Sequence, residues 1–237
     1  MKKVLLVSLL LLLVSCGTPT PAVEPSPTTQ TESTVEPTVV VADVAPTAAP
    51  TAPAAVPAAV RVFVIDSAQS SAAYAVEEIF FSDNRLFTAV GVTNAVEGAF
   101  EVTSNGKPRG KVTRIRVDLR TLKSDSPRRD NAIRRQWLES DKYPYADFVS
   151  TDALNLPESY AEGEQVTFTL VGDMTVRDVT KPVEWTVVGT LQGNTVTGEA
   201  KTVIKMSDFG FAAPDIGGVL KAENEAALTV TFVAAEK

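Results

Sequence analysis

Residues 61–237 read as an all-β domain, either a closed barrel or a sandwich of short antiparallel strands. Three observations point there. From Arg61 onward apolar residues recur at every second position among Val, Thr and aromatics, the pattern of half-buried antiparallel strands. Asn105-Gly106 and Gly193-Asn194 fall between such runs, as hairpin turns do. Only one stretch, near 127–139, carries helical spacing. Eight to ten short strands and little helix suit a barrel or a sandwich. A barrel removes exposed edges, and one of eight strands is filled by side chains or holds a small ligand. Periodicity does not choose between the two.

The chain begins with a different kind of segment. Lys2 and Lys3 precede an apolar run, Val4 to Val14, and Leu13-Val14-Ser15-Cys16 ends it with the only cysteine of the protein. A cationic start, a short apolar core and small residues at the cut describe a secretory signal peptide, residues 1–15. The run falls short of the roughly 20 apolar residues that span a bilayer. Its cysteine resembles the junction of a bacterial lipoprotein, and that resemblance implies a lipidated Cys16 as the new amino terminus. Two or three acyl chains, at about 0.8 kcal/mol per buried CH₂, hold a protein on a membrane. The expectation is an exported cell-envelope protein with its folded part outside the cytoplasm.

Residues 16–60 carry nine of the fifteen prolines, no aromatic residue and no Lys or Arg. Such a segment builds no core, and we expect a disordered tether with polyproline II character. It would reach about 40 Å as a flexible coil and about 130 Å fully extended. Composition changes at Arg61: all ten Phe, both Trp and all four Tyr lie beyond it. Without Lys2 and Lys3 the chain holds 20 basic and 29 acidic residues, a charge of −9. That balance argues against nucleic acid as a partner and against a polybasic membrane-surface patch.

The strands follow in order. Val62 and Val64 alternate with Phe63 and Ile65, and Asp66-Ser67 turns the chain. Ile115, Val117 and Leu119 share one face of the next clear strand, with Arg114, Arg116 and Asp118 on the other. Val166-Phe168-Leu170, Val183-Trp185-Val187 and Leu228-Val230-Phe232 repeat the pattern. Between them Ser126 and Pro127 open the single helix, as N-cap and first helical residue. Ile133 and Trp137, four apart, share its apolar face. Arg128, Arg129, Arg134 and Arg135 suit either an anionic headgroup or ion pairs with Asp125, Asp130, Glu139 and Asp141 on a solvated face; we favour the second.

Chemistry is limited by what is missing. The chain has no histidine, which removes His-based triads and the usual zinc sites. With Cys16 lipidated no thiol is left for catalysis or a disulfide. Glu77-Glu78 is an adjacent carboxylate pair, but neighbours on a strand point to opposite faces and do not converge on one bond. Gly217-Gly218 lacks the Lys-Ser/Thr of a phosphate loop and reads as a turn. We expect no catalytic residue, no metal and no cofactor.

Several stretches together resemble the YceI-like family. They are Phe63-x-Ile65-Asp66 with Ser71, Tyr74, Val76 and Glu78; Ala89 to Thr93 with Val96-Glu97-Gly98; and Thr121 to Asp125 with Arg129-Asp130-Asn131-x-Ile133-Arg134. Tyr143-Pro144-x-Ala146-x-Phe148, Gly172 to Val176, Val179 to Val183 and Ser207-Asp208-Phe209-Gly210 complete the series. The resemblance spans nearly all of 61–237. It implies an extended lipocalin-like antiparallel β-barrel of about eight strands, with one short helix near 127–139 and an apolar lumen. It also implies a long isoprenoid-type lipid as partner, a polyprenyl compound or an isoprenoid quinone. Two positions depart from the family: many relatives carry a histidine near Glu77-Glu78, and a basic residue where Met206 stands here, with Lys205 facing the other way. Phe168, Leu170, Val183, Trp185, Phe209 and Phe211 are the lumen-wall candidates; packing in a dry core is the alternative for each. Two other functions stay open: an interaction module whose barrel is filled by its own side chains, and a carboxylate-dependent enzyme acting on a lipid.

Overall fold

The computed structural model describes residues 60–103, 114–157 and 160–237. Cys16, the Pro/Thr-rich segment and the Asn105-Gly106 turn lie outside them. Among the described residues twelve strands form one sheet: β1 (Val60–Ile65), β2 (Ser71–Phe80), β3 (Arg85–Thr93), β4 (Val96–Thr103), β5 (Arg114–Asp118), β6 (Tyr145–Leu154), β7 (Gln165–Val176), β8 (Val179–Gln192), β9 (Thr195–Lys205), β10 (Asp215–Ile216), β11 (Leu220–Ala222) and β12 (Glu225–Glu236). All pairings are antiparallel, and the order β1-β4-β5-β6-β7-β8-β9-β12 returns from β12 to β1. The result is a closed eight-stranded barrel, and the sandwich alternative falls away.

The other four strands extend the barrel at one end. Along β12, Ala234 pairs with Ile65 of β1, whereas Ala227 to Thr231 pair with Ala75 to Ser71 of β2. The chain must therefore bend between β1 and β2. Asp66 makes that bend, its carboxylate accepting from Ala68 N–H at 2.9 Å, and buried Ser70 accepts from Val233 N–H at 3.0 Å. β3 then pairs with β2 over its whole length, and β11 pairs with the last residues of β2. Gly193 (φ 57°) and Gly218 (φ 73°) take the left-handed backbone of the β8–β9 and β10–β11 turns, a conformation that costs glycine little.

The predicted alternation sets which residues face inward. Phe63 and Ile65 are buried while Val62 and Val64 are exposed, and Trp185 and Val187 are buried with Glu184 and Thr186 exposed beside them. Glu77 is exposed and Glu78 buried, as opposite strand faces require. Burying a large apolar side chain contributes roughly 1.5–3 kcal/mol, and the barrel gathers such residues toward both ends. Phe63 stacks on Phe100 at 5.8 Å, and Phe232 meets Phe100 edge-on at 6.0 Å. Toward the extended end Val76, Met206, Ala222 and Ala226 form a second cluster.

One helical segment crosses the gap between β3 and β6. Val92 of β3 forms a bridge with Lys123, and Leu119 N–H donates to the Pro144 carbonyl just before β6. Helix α1 (Pro127–Ala132) starts as the sequence indicates, with Ser126 Oγ accepting from Arg129 N–H and Pro127 at the first turn. It continues as a wider π-helical turn, Ile133–Trp137. Buried Asp130 accepts from Ser124 N–H at 2.9 Å and from its hydroxyl at 2.6 Å, which pins the helix start. Arg177, in the β7–β8 turn, pairs with Glu139 at 2.5 Å and holds the other end.

Candidate functional site

Inward residues of the barrel enclose an apolar cavity of about 310 Å³. It touches Val166 and Val176 on β7, a separation of roughly 33 Å of strand at about 3.3 Å per residue. At one end its wall is Phe100, Val102, Leu191 and Val196; at the other it is Met206, Phe211 and Ala226. An apolar cavity of about 150 Å³ stays dry and takes up benzene. Twice that volume has room for on the order of a dozen carbon atoms, two or three isoprene units.

Four of the six wall candidates line this cavity: Phe168 and Leu170 on β7, Trp185 on β8, and Phe211 after β9. Val183 and Phe209 are not among its lining residues. Phe209 is 2 % exposed and ends a 3₁₀ turn, Met206–Phe209, in the core cluster against which Val179 at the start of β8 packs. Val183 shares the inward phase of Trp185, but it lies toward that same end of β8 and packs against the core there. The lumen runs past Val183 on the neighbouring strand, to Met174 and Val176 of β7. Phe148, which meets Trp185 edge-on at 5.9 Å, does line it.

Sequence reasoning missed the contribution of β2 and of the helix. Tyr74, Val76 and Glu78 alternate inward along β2 and line the cavity. Ile133, Trp137 and Leu138 line it from the helical segment, because the π turn brings residues four and five apart onto one face. Leu138 N–H donates to the Ile133 carbonyl at 2.8 Å. Trp137, expected to share the helix's apolar face with Ile133, borders the lumen, and so does Trp185. Met206 is buried and lines the cavity as well, with Lys205 exposed outside.

Polar groups in this wall are few. Glu78 is 5 % exposed, and its Oε2 accepts from Arg129 Nη2 at 3.2 Å. Arg129 also pairs with Asp125, and its guanidinium lies 5.3 Å from the Phe87 ring centre. Burial alone would lower the Arg129 pKa, but the bonds to Glu78 and Asp125 hold it above its ordinary value. Arg129 therefore turns inward, where all four helix arginines had been placed on a solvated face. Tyr74 is pushed up to about 12 by burial, so its phenol is neutral. The Trp185 indole N–H is buried without a hydrogen-bond partner among the described residues, a state that costs about 1–3 kcal/mol. Among the described residues no group of three or more His, Cys, Asp or Glu is placed to hold a metal ion.

Comparison with known proteins gives a consistent result. Residues 63–234 match the YceI-like domain family. A UPF0312 protein of Yersinia enterocolitica is 30 % identical over 134 residues, covering 54 % of this chain and 65 % of the relative. One of Pseudomonas putida is 33 % identical over 113 residues, covering 44 % and 55 %. The chain thus spans about 65 % or less of the length of these curated relatives. Among solved structures, BcnA of Burkholderia cenocepacia superposes with a TM-score of 0.55 at 17 % identity, covering 72 % of this chain and 99 % of BcnA. A polyisoprenoid binding domain from Saccharophagus degradans, implicated in plant cell wall breakdown, gives 0.54 at 11 % identity, covering 74 % and 98 %. At these identities the likeness is one of fold.

Proposed function

Because the chain belongs to the YceI-like family, we propose that its barrel is a carrier or sequestering protein for an isoprenoid-type lipid, a polyprenyl compound or an isoprenoid quinone. The single observation that carries this is the 310 Å³ lumen, walled along β7 and β8 by Phe168, Leu170 and Trp185. A hydrocarbon chain there gains about 0.8 kcal/mol per buried CH₂ before the costs of association. A structural neighbour described as a polyisoprenoid binding domain supports the same ligand class. The role is binding rather than catalysis: the polar pair facing the lumen, Glu78 and Arg129, is tied up in an ion pair.

The proposal includes the anchor. Lipidated Cys16 would hold the barrel on a membrane of the cell envelope, outside the cytoplasm, within reach of the bilayer that supplies the lipid. Incorporation of labelled palmitate, abolished by Cys16→Ser, tests that part.

Mass spectrometry of an organic extract tests the carrier function. The barrel is purified without detergent from cells that export it. A stoichiometric polyprenyl compound or quinone is the expected result. An empty extract, with no uptake of added isoprenoids, would instead indicate an interaction module.

A further inference from the structure

The lumen has a polar end, and its composition restricts the head of any lipid that enters. Glu78 and Arg129 both line the cavity, whereas Phe80, the next inward position of β2, does not. The cavity therefore ends at the ion pair. Four residues before Glu78, Tyr74 shares its face, and its hydroxyl has no hydrogen-bond partner among the described residues. Trp185 supplies a second unpartnered group. It precedes Thr186, which pairs with Lys201, so continuing that register sets it opposite Thr202; Thr202 pairs with Leu228, which pairs with Tyr74. Tyr74 and Trp185 thus stand in one cross-strand row, each with a donor to offer.

Arg129, which lines this end, has carboxylates around it: Glu78 and Asp125 pair with it, and Asp130 also acts on the Tyr74 hydroxyl. Arg129 already donates to two of the carboxylates. An anionic head would meet a guanidinium that is in use and carboxylates that repel it, at low local dielectric. An uncharged oxygen would instead accept from Tyr74 or Trp185, and a hydroxyl could also donate to Glu78, whose Oε1 is not used by Arg129. Resting on the carrier function above, we infer that the Glu78–Arg129 end of the lumen is a head-group subsite. It selects an uncharged, oxygen-bearing head such as a hydroxyl, carbonyl or amide, and rejects a phosphate.

Equilibrium binding of three ligands with one carbon skeleton tests this: farnesol, farnesyl phosphate and farnesane, which has no head. The purified protein is expected to bind farnesol at least about tenfold more tightly than farnesyl phosphate, since about 1.4 kcal/mol is a factor of ten. Glu78→Gln removes one negative charge and should narrow that preference several-fold. Tyr74→Phe should weaken farnesol several-fold and leave farnesane unchanged, and it decides the matter if Glu78→Gln does not fold. Equal or tighter binding of the phosphate by the unaltered protein overturns the inference. So does a preference that neither variant changes. Farnesane binding without discrimination between heads overturns the subsite alone, whereas failure to bind any of the three overturns the carrier function with it.

Discussion

The ring of Tyr74 lies flat on the α-carbon of Gly91, its partner across the β2–β3 ladder: a methyl added there would sit 2.2 Å from Tyr74 Cε1. The obstructing atoms are the far end of a side chain that borders the lumen, so the ring has somewhere to go. Gly172 differs, because its methyl would meet the Val149 carbonyl at 2.3 Å, which is backbone. Gly91→Ala should therefore fold with little loss of stability and a smaller lumen, binding isoprenoid several-fold less tightly. Gly172→Ala should lose about 1–3 kcal/mol, as overpacked sites do. Urea denaturation and ligand titration of the two variants separate these outcomes.

The Glu78–Arg129 pair joins β2 to α1, and its two halves are not equally replaceable. Taking away Arg129 leaves a carboxylate buried and unpaired, which costs about 3–5 kcal/mol in comparable settings. Arg129→Met should thus destabilise the barrel strongly. Adding Glu78→Gln to it should recover most of the loss, because replacing both partners of a buried pair is often near neutral. Denaturation midpoints of the single and double variants check this.

Phe168 should be decisive for uptake and Arg128 irrelevant. Phe168 lines the lumen, whereas Arg128 is exposed on α1. Phe168→Asp places a charge in the path of the chain and should abolish binding of labelled isoprenoid, with circular dichroism confirming the fold. Arg128→Ala should bind as the parent does. A folded Phe168→Asp protein that still binds normally would mean the chain does not pass β7.

Acid should weaken the barrel through its surface arginine pairs. Burial pushes Asp147 upward, but bonds from Arg116 and Arg114 hold its carboxyl below the ordinary value. The Arg61 bond does the same for Glu236. A depressed carboxylate contributes stability that is complete above its unfolded pKa, about 3.9 for Asp, and is lost as pH falls through the folded value. Asp147→Asn should be less stable at neutral pH and show a flatter decline below about pH 4. Denaturation midpoints across that range read out the difference.

Alternation was enough to find the inward faces. Phe63, Trp185 and Val187 are buried where period two puts them, and Ser126 caps the helix it was expected to cap. The exact lining of the lumen was not legible, because phase says which way Val183 points and nothing about which inward side chains the cavity touches. Phe209 misled for a related reason: it follows β9 into a 3₁₀ turn, where strand alternation no longer applies. The polar end was hidden more deeply. Glu78 and Arg129 are 51 positions apart, and no local pattern distinguishes Arg129 from the exposed arginine beside it. Only the bridge of Lys123 to β3 and the fixing of Asp130 by Ser124 turn that side chain inward.

Both tryptophans, Trp137 from the helix and Trp185 from β8, border the lumen, so intrinsic fluorescence observes its contents directly. The most direct measurement is a titration of the delipidated protein with farnesol, following Trp emission in Trp137→Phe and Trp185→Phe as single-tryptophan reporters. A lipid-filled lumen predicts a saturable change in both reporters with the same midpoint. A protein whose two reporters stay unchanged at concentrations where farnesol is soluble would contradict a lipid-holding barrel.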